Sequence, residues 1–219
     1  NYSYGDIISG SYPLSASIQR ELFIENATRS KIVALQNTLN FYRPLSQAYA
    51  YSSSVGAAHW DKATQAVNLI SIPSIFYGTE IKKGTVKLQF YMSGTLIGEL
   101  QDKNRNGELI QVSGNVHSQA NGADSIAGVV LYKEGFILLT GSWAMTSVDR
   151  DYLDAGSGNE VAGSWLYFGA GAHNQSYVQL IPSSSFAMSF EGTQHVPTLT
   201  MLAHANKGDL NYSANPTYV

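Results

Sequence analysis

The 219-residue chain contains no cysteine, which excludes a disulfide framework, a thiol nucleophile and a thiolate metal site. Charge is scarce as well: Asp, Glu, Lys and Arg make up 13% of the residues, against about 25% in ordinary soluble domains. The formal net charge is -3 and no run of Lys or Arg is longer than Lys82-Lys83, so neither nucleic acid nor an anionic membrane surface is an expected partner. No apolar run approaches the roughly 18 residues of a membrane span. The sequence opens on the polar segment NYSYGDIISG rather than on a signal peptide. What is plentiful instead is Gly (20) and Tyr (14), with frequent Ser. Such a surface of hydroxyls, amides and aromatics suits a protein packed among other subunits, because interfaces favour Tyr and disfavour Lys and Glu. An ordinary extracellular-type β domain would have a similar composition. Residue 1 is not Met and the sequence stops just after Asn215-Pro216, so the chain is expected to be part of something longer.

The stretch from Ala66 to Met145 organises the rest. It consists of short apolar runs punctuated by turn signals: AVNLISIPSIFYG, VKLQFYMSGTLIGELQ, the polar tip DKNRNG, ELIQVSG and IAGVVLYKEGFILLTGSW. Val86, Leu88 and Phe90 alternate with Lys87, Gln89 and Tyr91, the period of two of a half-buried strand. Strands are expected at 66–72, 85–92, 96–101 and 108–112, with Asn106-Gly107 turning the last hairpin through positive φ at both residues. Residues 126–132 and 136–143 read as a hairpin joined by Lys133-Glu134-Gly135 and apolar on both faces, hence buried on both. Further strands are expected at 177–181, 185–191 and 198–204. The segment 117–125, HSQANGADS, reads as a surface loop.

Before this spine, residues 1–14 read as an extended arm with a short strand at 6–9, lying on its own domain or reaching a neighbour. The helical period appears once with conviction: Ile32, Leu35, Leu39 and Tyr42 predict an amphipathic helix over 29–42, capped by Asn26 or Thr28 and stopped by Pro44, which should push Arg43 out of helical geometry. A shorter helical turn is expected around Ile18–Ile24. The fold class that follows is mainly β: an antiparallel β-sandwich or barrel-like domain with one main amphipathic helix near the N-terminus and extended terminal arms. All of 15–219 forms a single β-rich domain, with a β core over 66–204 and a surface tail over 205–219.

Four blocks of the sequence carry a resemblance. SGSYPLSASI at 9–18, ISIPSIFYGTEIKKGTVKLQFYMSGTLIGELQDKNRNGELIQ at 70–111, AGVVLYKEGFILLTGSW at 127–143 and TMLAHANKGDLNYSANPTY at 200–218 resemble virion structural proteins of T4-like marine phages that infect cyanobacteria. The resemblance implies a non-enzymatic particle component, located in the virion, whose partners are other virion structural proteins. It brings no catalytic residues and no cofactor, and it leaves capsid, neck, tail and baseplate open. Homo-oligomerisation is the usual state of such subunits.

Asp102-x-Asn104-x-Asn106-Gly107 matches the first half of a calcium loop, in which oxygens at alternate positions surround the cation. The twelfth position is Ser113 rather than Glu, and a plain hairpin tip explains the same residues. The histidines His59, His117, His173, His195 and His204 show no paired metal-ligand spacing. Gly141-Ser142-Trp143 and Gly163-Ser164-Trp165 lack the nucleophile-elbow pattern, and Gly169-Ala170-Gly171 opens no phosphate motif. Glu99 and Glu108, on adjacent hairpin arms, could form a glycosidase pair, although carboxylates across a solvent-exposed hairpin face are far commoner. Trp60, Trp143 and Trp165 suggest a second reading, a carbohydrate-binding adhesin with a glycan partner; Trp143 and Trp165 have core-like surroundings, which leaves Trp60 as the exposed candidate.

Overall fold

A computed structural model of the chain describes residues 7–12, 18–25, 28–52, 60–114, 126–152, 160–170, 172–173 and 184–204. The described chain begins with β1 (Ile7–Tyr12), β2 (Gln19–Phe23), α1 (Ser30–Ala34) and α2 (Gln36–Tyr42). The spine follows as β3 (Val67–Ser71), the two-residue β4 (Glu80–Ile81), β5 (Lys87–Met92), β6 (Thr95–Gln101), β7 (Glu108–Gly114), β8 (Ile126–Leu131) and β9 (Phe136–Leu139). Four more strands complete it: β10 (Asp149–Tyr152), β11 (Glu160–Ala162), β12 (Ala172–His173) and β13 (Ser184–Thr193).

Nine strands form one antiparallel sheet in the order β1-β13-β5-β6-β7-β8-β9-β3-β2; β4 attaches to β13, and β11-β10-β12 make a second, small sheet. The fold is therefore mainly β and antiparallel, as the alternating pattern requires, and it is sandwich-like. The barrel-like alternative is corrected, because β1 and β2 stand at opposite ends of the large sheet and do not pair. Each is held elsewhere: β1 runs along β13 from Ile7↔Thr193 to Tyr12↔Met188, while Arg20 of β2 donates to the carbonyls of Phe168 (2.7 Å) and Leu166 (3.1 Å).

Hydrophobic pattern decides which half of the sheet is covered. In β5, Leu88 and Phe90 are fully buried while Lys87, Gln89 and Tyr91 are only half-buried, so one face packs and the other meets water. In β8 every residue is buried, because both faces are covered. One side joins Val130 and Ala127 to Phe90, Trp165 and Phe168; the other joins Val129 and Leu131 to Ile32, Leu39 and Tyr49 of the helical layer. Phe90 meets the Trp165 and Phe168 rings edge-on, each at 6.3 Å between centroids, a geometry that adds to simple area burial. Gly128 sits in this doubly covered strand without a side chain because a Cβ there would lie 2.2 Å from the Leu138 carbonyl oxygen.

Several expectations are corrected. The expected helix over 29–42 forms as two pieces, since Leu35 (φ -81, ψ -4) interrupts α1 and α2. Its predicted seam survives the interruption, with Ile32, Leu39 and Tyr42 buried. No side chain caps α1, because the Arg29 side chain is drawn inward to carbonyl groups. Arg43, before Pro44, keeps helical dihedrals (φ -50, ψ -34) and the chain closes a turn there through Leu45 N–H to Tyr42 C=O at 2.9 Å. Residues 19–23, read as helical from Ile18 and Leu22, form β2 against β3; the long-range ladder overrides the local spacing. Residues 198–204, read as a strand, have no strand partner among the described residues. At the hairpin tip the positive φ values fall on Arg105 and Gly107, not on Asn106. The expected strand at 177–181, the loop at 117–125, the capping Asn26 and the tail at 205–219 lie outside the described residues.

Candidate functional site

The β6–β7 tip places the three residues of the calcium-loop pattern, and it gives each a different task. Asp102 is 1% exposed. Its Oδ2 accepts from the Gly84 N–H at 2.6 Å and from the Tyr132 hydroxyl, and its Oδ1 accepts from the Gly107 N–H at 3.2 Å. Asn106 Oδ1 accepts from the Glu108 N–H at 3.2 Å, and Asn104 Nδ2 donates to Glu108 Oε2 at 3.2 Å. The tip is thus cross-linked by protein donors that satisfy the buried carboxylate. Burial, then the Asp102 hydrogen bond and charge, pushes the Tyr132 hydroxyl far above its usual pKa. Gly107 (φ +89) is required here, since a Cβ would fall 1.7 Å from the Tyr49 hydroxyl, which itself donates to Val130 C=O at 2.6 Å. Among the described residues no group of three or more His, Asp or Glu is arranged to hold a metal ion.

Glu99 and Glu108 are kept apart. Glu99 stands opposite Ser113 in the β6–β7 ladder, five positions from Glu108, which at about 3.3 Å per residue is roughly 15 Å; a glycosidase pair needs at most about 9.5 Å. Burial alone would raise the Glu99 pKa, but hydrogen bonds from Gln89, Gln101 and Lys87 outweigh it and hold the carboxyl below its ordinary value. Glu108 instead accepts from the Ser46 hydroxyl. The tryptophans are covered as well: Trp143 and Trp165 are buried, and both indole N–H groups donate to one acceptor, Gln111 Oε1, at 2.8 and 2.9 Å. Trp60, the expected exposed aromatic, is half-buried against the helix-side cluster. His195 is exposed with Nε2 3.4 Å from Glu80 Oε1, and His204 is exposed. His59 and His117 lie outside the described residues, and His173 falls in β12.

Two buried cations have no signal in the sequence. Lys62 is 1% exposed, and its ammonium donates to the carbonyls of Ala48, Ala50 (3.2 Å) and Trp60 (3.2 Å). Burial pulls its pKa down from 10.5 to about 7, opposed by the charge of Asp61. The buried Arg29 donates to the carbonyls of Ile24 (2.7 Å), Lys62 (3.1 Å), Thr64 (3.1 Å) and Gln65. Together they bind the 60–65 loop to the helical layer. Among the described residues the hydrogen-bond acceptors of both groups are backbone carbonyls, so these groups act as internal cross-links.

The remaining functional candidate is a surface. Of the expected N-terminal arm, Ile7–Tyr12 is committed in cis, paired along β13, and the remainder of 1–14 lies outside the described residues. The segment after β13 behaves differently. The His195 N–H donates to Thr79 Oγ1 at 3.0 Å, and every residue from 194 to 204 is exposed without regular structure. Leu199, Met201 and Leu202 are 87%, 84% and 95% exposed. Three large apolar side chains within four residues, held in water, are not the scattered exposed leucine of an ordinary surface. The same apolar pattern underlies the strand expected over 198–204, which has no strand partner among the described residues. Comparison with known protein families, with characterised proteins and with solved structures yields no match for the chain.

Proposed function

We propose that the chain is a non-enzymatic structural subunit of a tailed-phage virion, holding its place through contacts with neighbouring subunits, and that the segment 196–204 is the arm that makes them. The observation that carries this reading is the exposure of Leu199, Met201 and Leu202 on an extended segment. Burying one such side chain is favourable by about 1.5–3 kcal/mol. Three give roughly 5–9 kcal/mol before the cost of ordering the arm, enough for association between chains held at high local concentration. Backbone groups of residues 198–202 can add to an open sheet edge, and β2 and β1 are the terminal strands of the large sheet. The virion setting is supported by the sequence resemblance, and further copies of the same chain or other virion proteins are the partners. A carbohydrate-binding adhesin is less well supported, because Trp143 and Trp165 are buried and Trp60 is half-buried.

Sedimentation velocity tests the arm. The unaltered chain should associate with increasing concentration, and a Leu199→Ser, Met201→Ser, Leu202→Ser variant should stay monomeric with the same unfolding midpoint. A monomeric parent that also fails to bind purified particles lacking it would remove the assembly reading. Quantitative mass spectrometry of purified virions, with heads separated from tails, tests the setting; absence from both fractions would refute it.

A further inference from the structure

The turn between β4 and β5 and the tip between β6 and β7 lie side by side, because β5 and β6 pair with Lys87 opposite Gln101. Between them is an open cleft of about 700 Å³. It is lined by Lys82, Lys83, Lys87, Lys103 and Arg105, five of the 13 Lys and Arg residues of a chain whose net charge is -3. Lys82 is paired with Glu191 at 2.7 Å and Lys87 with Glu99 at 3.2 Å. Lys83, Lys103 and Arg105 have no carboxylate partner among the described residues; Lys83 lies 5.7 Å from the Tyr132 ring centroid. Asp102 also borders the cleft, but both its oxygens are turned to the Gly84 and Gly107 amides and the Tyr132 hydroxyl.

The walls of the cleft are built to keep their places. Asp102 joins the two turns through the Gly84 N–H at 2.6 Å, and Arg105 packs directly on Gly84, where a Cβ would come within 2.8 Å of Arg105 Cγ. Arg105 has φ +57, a conformation uncommon outside glycine that is found where the surroundings over-determine it. Like charges gathered at one cleft repel each other, and nothing in the core requires Lys103 or Arg105, both of which are exposed. An anion seated among them would remove that repulsion, and guanidinium is the side chain best matched to a tetrahedral oxyanion.

We propose that this cleft is an oxyanion-binding site, taking a compact ligand that carries phosphoryl or sulfuryl groups, with Lys83, Lys103 and Arg105 as its direct contacts. The cations are confined to one cleft rather than spread along a stripe, which suits a compact anion and not the track of a polynucleotide. Anion capture and assembly through residues 196–204 are separable, since the two involve different residues.

Isothermal titration of the full chain with pyrophosphate and with a disulfated disaccharide, at about 50 mM salt where screening is weak, tests the site and separates its two possible sources of oxyanion. Saturable binding of at least one is expected. It should weaken about tenfold in a Lys103→Gln, Arg105→Gln variant whose unfolding midpoint is unchanged, and stay the same in a Lys31→Gln variant that removes a charge elsewhere. Pyrophosphate binding the tighter assigns a phosphoryl ligand, and the disaccharide binding the tighter a sulfuryl one. No saturable binding of either, equal weakening by Lys31→Gln, or tighter binding of a single-stranded oligonucleotide than of both probes would overturn the proposal.

Discussion

Lys62 should make the protein more stable in mildly alkaline solution than at neutrality. Folding moves its ammonium from water to a fully buried site and lowers its pKa from 10.5 to about 7. Between those values the unfolded chain holds a proton that the folded chain has released, so raising the pH favours the folded state. The full cost of burying the charge is present below pH 7 and is relieved as the pH climbs toward 10.5. At its steepest the gain is about 1.4 kcal/mol per pH unit, which amounts to about 3 kcal/mol between pH 7 and pH 9.5. Above about pH 10 the sign reverses. Tyr42, Tyr49 and Tyr132 have hydroxyl pKa values raised by burial above the usual 10.0, so the unfolded state then loses protons that the folded state keeps. Urea unfolding followed by tryptophan fluorescence at several pH values from 7 to 9.5 measures the first limb. In a Lys62→Met variant that limb should flatten. The carbonyls of Ala48, Ala50 and Trp60 lose their donor in this variant, so at pH 9.5 it should be less stable than the parent by about 1–3 kcal/mol, with the two curves converging toward pH 7. A flat parent curve, or a slope kept by the Met variant, would refute the reasoning.

Two further substitutions follow from the buried polar groups. Asp102→Ala leaves the Gly84 and Gly107 amides and the Tyr132 hydroxyl without their acceptor and should cost about 4 kcal/mol in a urea titration. Millimolar calcium should not move the melting temperature of the unaltered chain, whereas a calcium-dependent rise that Asp102→Ala abolishes would assign the tip as a calcium loop. Gln111→Leu strands two buried indole N–H groups at once and should cost about 2–4 kcal/mol, with a changed near-ultraviolet circular dichroism band; an unaltered band and stability would mean that the shared acceptor at Gln111 is dispensable.

Where a side chain's fate depends on its near neighbours, the sequence displayed it. Val86, Leu88 and Phe90 announced a one-faced strand, the apolar run at 126–131 announced a two-faced one, and Ile32, Leu39 and Tyr42 marked the helix seam through the interruption at Leu35. Where the fate depends on a distant partner, local pattern was silent or misleading. The spacing of Ile18 and Leu22 looked helical until β3, some fifty residues on, recruited the segment. Lys62 looked like any surface lysine, since two of the three carbonyls that enclose it, those of Ala48 and Ala50, lie 14 and 12 residues back in the chain, beyond the reach of a local periodicity. The basic cleft escaped a search for consecutive cations, yet it was within reach: once Lys87 is set opposite Gln101, residues 103–105 must fall beside residues 82–85. Asp102 carried the oxygen chemistry that the calcium pattern recognises, but the donors that satisfy it come from Gly84 and Tyr132, which the pattern does not contain.

The position of β13 between β1 and β5 also sets the order in which the molecule can be finished. Among the described residues the first strand of the sheet pairs with a strand made some 180 residues later, which in turn pairs with β5. During synthesis, residues 7–12 must therefore wait, and β5 keeps an open hydrogen-bonding edge until residues 184–193 leave the ribosome. Pairings of such sequence separation close slowly, and an edge left open meanwhile invites strands from other chains. The strand able to seal the sheet emerges just before residues 194–204, so the arm proposed to join subunits is made last, after every strand needed to cover the edge most prone to joining them wrongly.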